Sequence, residues 1–230
     1  MPVLVFSSIA TAITVMIGCA FGNNKFWGYI PPKYWSKIIC RTALCKIKVK
    51  PNNKLKSDQS YIFVVNHQSA FDIFLTYGYL GHNIKWVQKY ELRKIPFVGK
   101  ASEIAGHVFV DSSNPKAMAR TIELAKKELK KGTSMVIFPE GARTYTGKMT
   151  RFKKGAYIIA TQMQLPIVPI TLNGPYDVLK IHGRRIKFGM PMEIIVHDPI
   201  ETQGLSEEDI PNLIKESRDA IESALWDKYK

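Results

Sequence analysis

The sequence predicts an α/β fold, in which a mixed, mostly parallel sheet is flanked by helices and preceded by an N-terminal helical membrane anchor. Two observations predict it. Short apolar runs of buried type, such as Tyr61–Val65 and Ser134–Phe138, alternate with segments of helical length. An uncharged apolar run, Val3–Phe21, precedes all of them. We therefore divide the chain into membrane-anchoring helices at residues 1–57 and an α/β domain at residues 58–230.

The N-terminal run has the length and composition of a membrane-inserted helix. No charged side chain precedes Lys25, and the run Val3–Phe21 is nearly unbroken in its apolar character. As a helix it would be about 28 Å long, close to the thickness of a bilayer's hydrocarbon core. A signal peptide is the alternative, but it requires a basic start that this sequence lacks. We expect membrane insertion.

A basic stretch follows the apolar run. Nine basic residues precede the first acidic residue, Asp58, namely Lys25, Lys33, Lys37, Arg41, Lys46, Lys48, Lys50, Lys54 and Lys56. Such a flank favours the cytoplasmic side of a membrane with anionic lipid. Within it, Pro31–Lys46 has the pattern of an amphipathic helix. That pattern fits a helix in the headgroup layer, and equally a domain helix whose apolar stripe faces the core.

Apolar periodicity, caps and turn residues predict the elements of the α/β domain. The first strand, Tyr61–Val65, leads into a helix at Phe71–Leu80. The other expected strands are Lys85–Val87, His107–Val110, Ser134–Phe138, Ile167–Leu172 and a late pair at Arg185–Phe188 and Glu193–Val196. The other expected helices are one from Asn114-Pro115 to about Lys131, ended by Gly132, one at Gly155–Gln164, and a last one opened by a capping box of Ser206 and Asp209.

Charge and cysteine content narrow the classes of partner. The 230 residues carry a net charge of +14, which indicates nucleic acid, an acidic membrane surface or a phosphorylated substrate as partner. The densest basic stretch adjoins the apolar run and no recognition motif is present, so we expect no nucleic acid partner. Cys19, Cys40 and Cys45 are odd in number and form no CxxC motif, which favours reduced thiols. No metal-ligand cluster stands out, and we expect no metal site.

The first candidate site is the cluster Asn66–Asp72, where a strand ends and a helix begins. His67 and Asp72 would point about 140° apart on one continuous helix. They can meet only if His67 lies in the turn and Asp72 in the first helical turn. Asp72 could then accept a hydrogen bond from one imidazole nitrogen and leave the other as a base. The alternative is a structural histidine beside an aspartate that caps a helix.

The second candidate site is Phe138–Arg143, which also follows a buried strand. Parallel strands would bring both clusters to one edge of the sheet. Gly141 permits a turn or a close approach to a ligand, and Arg143 offers a planar fork suited to phosphate. Glu140 can orient that arginine or accept a hydrogen bond from a substrate hydroxyl. The alternative is a solvated turn with one salt bridge.

Together the clusters resemble the glycerolipid acyltransferase family. His67-x4-Asp72 is similar to its first motif, and Phe138–Arg143 is similar to its third. The family's second motif is matched by Lys89–Leu92, Ile95–Gly99 and Gly106–Asp111. Its short fourth motif is similar to Val168–Ile170. The resemblance covers roughly Ser60 to Leu172 in the family's order and spacing.

Two positions depart from the family's pattern. Ala142 stands where the family usually has a hydroxyl residue, so any contact of that hydroxyl is missing. Ser112 stands where the family commonly has an arginine, which removes one expected cation near the substrate phosphate. Lys89, Arg151 or Lys153 could take its place.

The resemblance implies direct acyl transfer without a cofactor, metal or acyl-enzyme. His67 would take the proton of the acceptor hydroxyl and Asp72 would orient it. Lys89, Glu140, Gly141 and Arg143 would bind the glycerol phosphate. The implied donor is acyl-CoA or an acyl carrier protein thioester, and the implied acceptor is lysophosphatidate, which would give phosphatidic acid. Glycerol-3-phosphate or another lysolipid is the alternative acceptor.

Two further alternatives remain at the level of sequence. A membrane-bound lipid-binding protein without activity is the non-enzyme alternative, and a serine hydrolase would require a GxSxG elbow that the chain lacks.

The resemblance also implies a bacterial inner-membrane location, with the catalytic domain on the cytoplasmic face among membrane lipids. Val3–Phe21 would either span the bilayer or pair with Pro31–Lys46 in one leaflet.

Overall fold

The computed structural model describes residues 2–110, 117–130, 132–183 and 185–230. Within these ranges a seven-stranded sheet has the order β1-β7-β6-β2-β5-β3-β4. The strands are β1 (Lys46–Lys50), β2 (Ile62–Val65), β3 (Asn83–Lys89), β4 (Val108–Val110), β5 (Thr133–Ile137), β6 (Ile167–Asn173) and β7 (Pro191–Val196). Neighbouring strands are parallel except β6 and β7, which are antiparallel. The predicted mixed, mostly parallel sheet is confirmed.

Helices cover both faces of the sheet. They are α1 (Pro2–Phe21), α2 (Asn24–Trp27), α3 (Ile30–Thr42), α4 (Phe71–Tyr79), α5 (Val98–Ile104), α6 (Ala117–Glu128), α7 (Gly155–Met163), α8 (Pro175–Val178) and α9 (Ile210–Ser223). Helices α3 and α4 pack on one face, around Phe63, Phe71 and Leu75. Helices α6, α7 and α9 pack on the other face, around Ile62 and Tyr157. The four residues of β2 are fully buried, as expected for a central strand with both faces covered.

The sheet includes an edge strand that the sequence pattern did not reveal. We expected a helix through Lys46, but α3 ends at Thr42 and β1 begins at Lys46, where it pairs with β7. The sheet therefore begins inside the segment 1–57 that was assigned to membrane-anchoring helices. An edge strand whose outward positions are lysines has few apolar residues, so its alternation resembles a solvated basic stretch.

Two other expectations are corrected or fall outside the described ranges. The strand expected at Glu193–Val196 is confirmed as part of β7. Its expected pairing is wrong, because Arg185–Phe188 forms no strand and β7 pairs instead with β6 and β1. Such pairing joins residues that are distant in sequence, which local periodicity cannot show. The helix start at Asn114-Pro115 and the helix end at Lys131 lie outside the described residues; the helix that is described there is α6, Ala117–Glu128.

The long N-terminal helix lies against the α/β domain. Its window Leu4–Phe21 is apolar and long enough to cross a bilayer, with a mean hydropathy of 2.1 and 22% of its residues buried. Helix α1 packs on α3 and α5, and Trp35 Nε1 donates a hydrogen bond to Ser7 Oγ at 3.1 Å. Its remaining surface exposes Val5, Phe6, Ile13, Ile17 and Phe21.

Candidate active site

The candidate site lies at the edge of the sheet where β2, β5 and β3 end. Asn66 directly follows β2 and is fully buried. Its side chain donates to the carbonyl of Leu172 at 3.0 Å and accepts from the Leu172 N–H at 2.8 Å, so it continues the pairing of β2 with β6. This fixes the direction in which the chain leaves the sheet, and therefore the position of His67.

The structure brings His67 and Asp72 together in the one arrangement that their spacing permits. His67 lies in the turn, Asp72 lies in the first turn of α4, and His67 Nδ1 is 2.7 Å from Asp72 Oδ2. The same oxygen accepts hydrogen bonds from the backbone N–H groups of Gln68 at 2.6 Å and Ser69 at 2.7 Å. One carboxylate oxygen thus holds the imidazole and the turn that carries it.

Asp72 is fully buried, and two opposing effects act on the pKa of its carboxyl group. Burial raises the pKa of the carboxyl above its ordinary value, while hydrogen bonds from His67, Ser69 and Gln68 oppose that rise. Its second oxygen, Oδ1, has no hydrogen-bond partner among the described residues. The carboxylate is therefore held through Oδ2, on the side that faces His67.

An aromatic stack holds the ring of His67. The ring of Phe138 lies parallel to the imidazole, with centroids 3.9 Å apart and an angle of 12° between the planes. Trp86 stacks in turn on Phe138, with centroids 5.6 Å apart. Nε2 of His67 has no hydrogen-bond partner among the described residues, and the side chain is 15% exposed. The ring is fixed on one side and open at the nitrogen that could act as base.

The loop after β5 clamps the backbone of His67. The His67 N–H donates to Glu140 Oε1 at 2.7 Å, and the His67 carbonyl accepts from the Thr144 N–H at 3.0 Å. Both partners come from the second cluster or its continuation, so the two clusters form one unit. Thr144 carried no signal in the sequence, because a lone threonine in a loop has no pattern that predicts such a contact.

Glu140 faces inward. It is 5% exposed, and its Oε2 accepts from the backbone N–H and the hydroxyl of Thr150, both at 2.8 Å. Burial raises the pKa of the Glu140 carboxyl above its ordinary value, and hydrogen bonds from Thr150 and His67 oppose that rise. Both oxygens are engaged within the protein, and no described contact joins Glu140 to Arg143. Thr150 is a further residue that the sequence pattern did not indicate.

The turn above Glu140 presents positive groups. Gly141 has a φ of 75°, and a Cβ there would lie 2.8 Å from Lys153 Nζ, so the ammonium group lies close over this glycine. The Lys153 N–H donates to the Pro139 carbonyl at 2.9 Å and ties the two segments together. Among the described residues, neither Arg143 nor Lys153 has an ion pair, and the N–H groups of Ala142 and Arg143 have no acceptor. Such a turn suits an anion.

Lys89 completes the set of predicted site residues. It is the last residue of β3 and is exposed. β3 runs parallel to β5 and pairs with it over Asn83–Trp86, and its last three residues pair with β4. Lys89 therefore lies at the same sheet edge as Gly141 and Arg143. Ser112, where the resemblance would place another cation, lies outside the described residues. In the part of the chain that the structure describes, no group of His, Cys, Asp and Glu could hold a metal ion.

Comparisons with known proteins all match acyltransferases. A family model described as Acyltransferase matches residues 46–173. The 1-acyl-sn-glycerol-3-phosphate acyltransferase of Cocos nucifera is 35% identical over 160 residues, which are 69% of this chain and 52% of that protein. An uncharacterized acyltransferase of Schizosaccharomyces pombe is 30% identical over 226 residues, which are 96% of this chain and 80% of that protein.

A solved structure is similar over nearly the whole chain. It is the 1-acyl-sn-glycerophosphate acyltransferase PlsC of Thermotoga maritima, with a TM-score of 0.75 and 25% identity. The similarity covers 97% of this chain and 96% of that chain. The chain spans about half the length of the plant relatives that it matches.

Proposed function

Because this chain belongs to the acyltransferase family, we propose that it transfers a fatty acyl group from a thioester to the free hydroxyl of 1-acyl-glycerol-3-phosphate, giving phosphatidic acid. The observation that carries the proposal is the contact of His67 Nδ1 with Asp72 Oδ2 at 2.7 Å, beside a turn that presents free N–H groups and cations. The names of the plant relatives and of the Thermotoga maritima enzyme support this acceptor.

In the proposed reaction His67 is a general base. Its Nδ1–H donates to Asp72, so Nε2 carries the lone pair that takes the proton of the acceptor hydroxyl. The hydroxyl oxygen then bonds to the thioester carbonyl carbon. The C–S bond breaks as the tetrahedral intermediate collapses, and the proton passes from Nε2 to the leaving thiolate. A positioned base of this kind supplies about 10²–10⁴-fold in rate.

The carboxylate of Asp72 has two tasks in this proposal. It selects the tautomer in which Nε2 is unprotonated, and it stabilises the imidazolium that forms in the transition state. Because the same oxygen also accepts from the N–H groups of Gln68 and Ser69, the carboxylate cannot rotate away from His67 without losing three hydrogen bonds. The base is therefore oriented before substrate binds.

The glycerol phosphate binds at the turn after β5. We assign its phosphate to Arg143 and Lys89, with the close backbone approach provided by Gly141. Lys153 Nζ lies over Gly141 and can replace the cation that Ser112 does not supply. Glu140 supports this site indirectly, because its carboxylate accepts hydrogen bonds from the N–H groups of His67 and Thr150 and so holds the turn against His67.

The protein works at a membrane in this proposal, with its catalytic domain on the cytoplasmic face. Helix α1 packs along α3 and α5 rather than projecting away from the domain, which supports an arrangement in one leaflet. A lysophospholipid also lies in the leaflet, so its hydroxyl can reach His67 without entering water. The donor is a fatty acyl thioester of coenzyme A or of acyl carrier protein.

The test is an activity screen of the purified protein in detergent. Each donor, acyl-CoA and acyl carrier protein thioester, is combined with lysophosphatidate, glycerol-3-phosphate and a lysolipid without a phosphomonoester. We expect transfer to lysophosphatidate to be the fastest. Transfer only to glycerol-3-phosphate would replace the proposed acceptor, and binding without turnover on any acceptor would favour a lipid-binding protein.

A further inference from the structure

The segment that follows β3 displays four large apolar side chains to solvent. Tyr90–Lys94 forms a 3₁₀ turn, and Ile95–Phe97 leads from it into α5. The exposed fractions are 42% for Tyr90, 41% for Leu92, 43% for Ile95 and 49% for Phe97. Exposed apolar side chains that cluster in this way mark a contact with another molecule or with a membrane.

The backbone conformation of this segment is fixed by a tight turn. Phe97 has φ 61° and ψ −53°, and the Val98 N–H donates to the Pro96 carbonyl at 2.7 Å, which makes a γ-turn of the rare, strained type. Gly99 closes the segment, since a Cβ there would lie 2.1 Å from the Arg93 carbonyl oxygen. Strain of this kind persists where the surrounding structure enforces it and is often associated with function.

The segment is joined through α5 to the apolar helix α1. Helix α5 packs on α1, where Ala101 and Ala105 join Ala12, Val15 and Cys19 in one buried cluster. The remaining surface of α1 is apolar and exposed along its length. The segment Tyr90–Phe97 is therefore linked through α5 to the helix that forms the proposed membrane anchor.

We propose that Tyr90–Phe97 inserts into the same lipid leaflet as α1, as a second membrane contact provided by the α/β domain itself. Lys94 lies between its apolar side chains, where it can meet anionic headgroups. This combination of apolar side chains and an interleaved cation, linked through α5 to an apolar helix, fits a lipid surface better than a protein partner.

This contact sets the orientation of the active site. The segment follows the C-terminal end of β3, at the sheet edge where His67 and Glu140 lie. With Phe97 in the leaflet, that edge faces the membrane and the opposite edge faces the cytoplasm. This consequence rests on the proposed function, whereas the lipid contact does not.

The contact can be tested by photo-crosslinking in vesicles of phosphatidylethanolamine and phosphatidylglycerol. Phe97 is replaced by p-benzoyl-phenylalanine, and Val49 is replaced in the same way as a matched control. Val49 is 39% exposed between two lysines, but it lies on β1 at the other end of the sheet. We expect lipid adducts at position 97 well above those at position 49. Equal yields at the two positions would overturn the proposal.

A second experiment measures the functional consequence. The double variant Leu92→Ser, Ile95→Ser should raise the KM for a long-chain acceptor in vesicles about tenfold, because two apolar side chains no longer enter the lipid. Turnover of a short-chain, soluble acceptor should be unchanged, and Val49→Ser should change neither. An equal loss on both acceptors would contradict a role in membrane contact. Lipid adducts at position 97 in a protein that acylates no acceptor would refute the proposed function and leave the membrane contact standing.

Discussion

Thr150 holds the buried carboxylate of Glu140, and its replacement by valine tests whether that carboxylate positions His67. The Thr150 hydroxyl donates to Glu140 Oε2 at 2.8 Å, and Glu140 Oε1 accepts from the His67 N–H at 2.7 Å. Valine has nearly the same shape as threonine but cannot donate. The backbone N–H of residue 150 still reaches the carboxylate, so the turn should keep its form.

The expected loss of activity in Thr150→Val follows from the number and kind of hydrogen-bond donors to the Glu140 carboxylate. A hydrogen bond to a charged group contributes about 1.5–3 kcal/mol. Thr150 is exposed, so water can replace part of what is lost, and we expect a loss of about 1–2 kcal/mol in the positioning of His67. If this loss appears in the transition state, kcat falls roughly 5- to 30-fold while the acceptor KM changes little.

The pH dependence has a defined sign. The pKa of Glu140 is raised by burial and opposed by the donors from Thr150 and His67. Loss of one donor raises this pKa further. Because only the ionised carboxylate accepts from both partners, activity in Thr150→Val should be lost at a higher pH than in the wild type as the pH falls.

The assay is steady-state transfer with matched variants. Thr150→Ser keeps a hydroxyl and should restore most of the rate. Thr146→Val is the control, because among the described residues its hydroxyl contacts Thr144 and Lys148 in the same loop and does not contact Glu140. In a Glu140→Gln background, Thr150→Val should have little further effect. Full additivity of these two substitutions, or equal losses in Thr150→Val and Thr146→Val, would refute the argument.

Three other predictions concern the same site and its anchor. Asp72→Asn should leave the melting temperature nearly unchanged yet lower kcat, through the wrong tautomer of His67; an unaltered kcat would contradict its role. Arg143→Lys keeps the charge but loses the bidentate fork, so kcat/KM for the phosphorylated acceptor should fall more than that for the acyl donor. Helix α1 should hold the protein in membranes by apolar burial, so carbonate or high salt should not release it in a sedimentation assay.

Local signals in the sequence were sufficient for the parts of the fold that depend on neighbours in the chain. The strand before Asn66 and the helix that begins at Phe71 follow from apolar runs and turn residues. The spacing of His67 and Asp72 at that junction permits their contact in one arrangement, which is the one observed. These features are set within a few residues, where helix and strand geometry leave few alternatives.

Contacts between distant segments could not be foreseen in the same way. The clamp of Glu140 and Thr144 on the His67 backbone joins residues more than seventy positions apart, and no periodicity encodes it. The inward direction of the Glu140 carboxylate depends on Thr150, whose role is visible only once the loop is folded. Strand β1 was not predicted, because an edge strand with alternating lysines has the same pattern as a solvated basic stretch.

The most direct test of the account is the rate of acyl transfer to lysophosphatidate by His67→Ala. The measurement follows labelled acyl chains from the thioester into phosphatidic acid, at saturating donor and acceptor, beside a melting curve that shows the variant to be folded. Loss of the base should lower turnover by about 10³-fold. A folded His67→Ala protein that transfers acyl groups at nearly the wild-type rate would contradict the central claim that His67, oriented by Asp72, is the catalytic base.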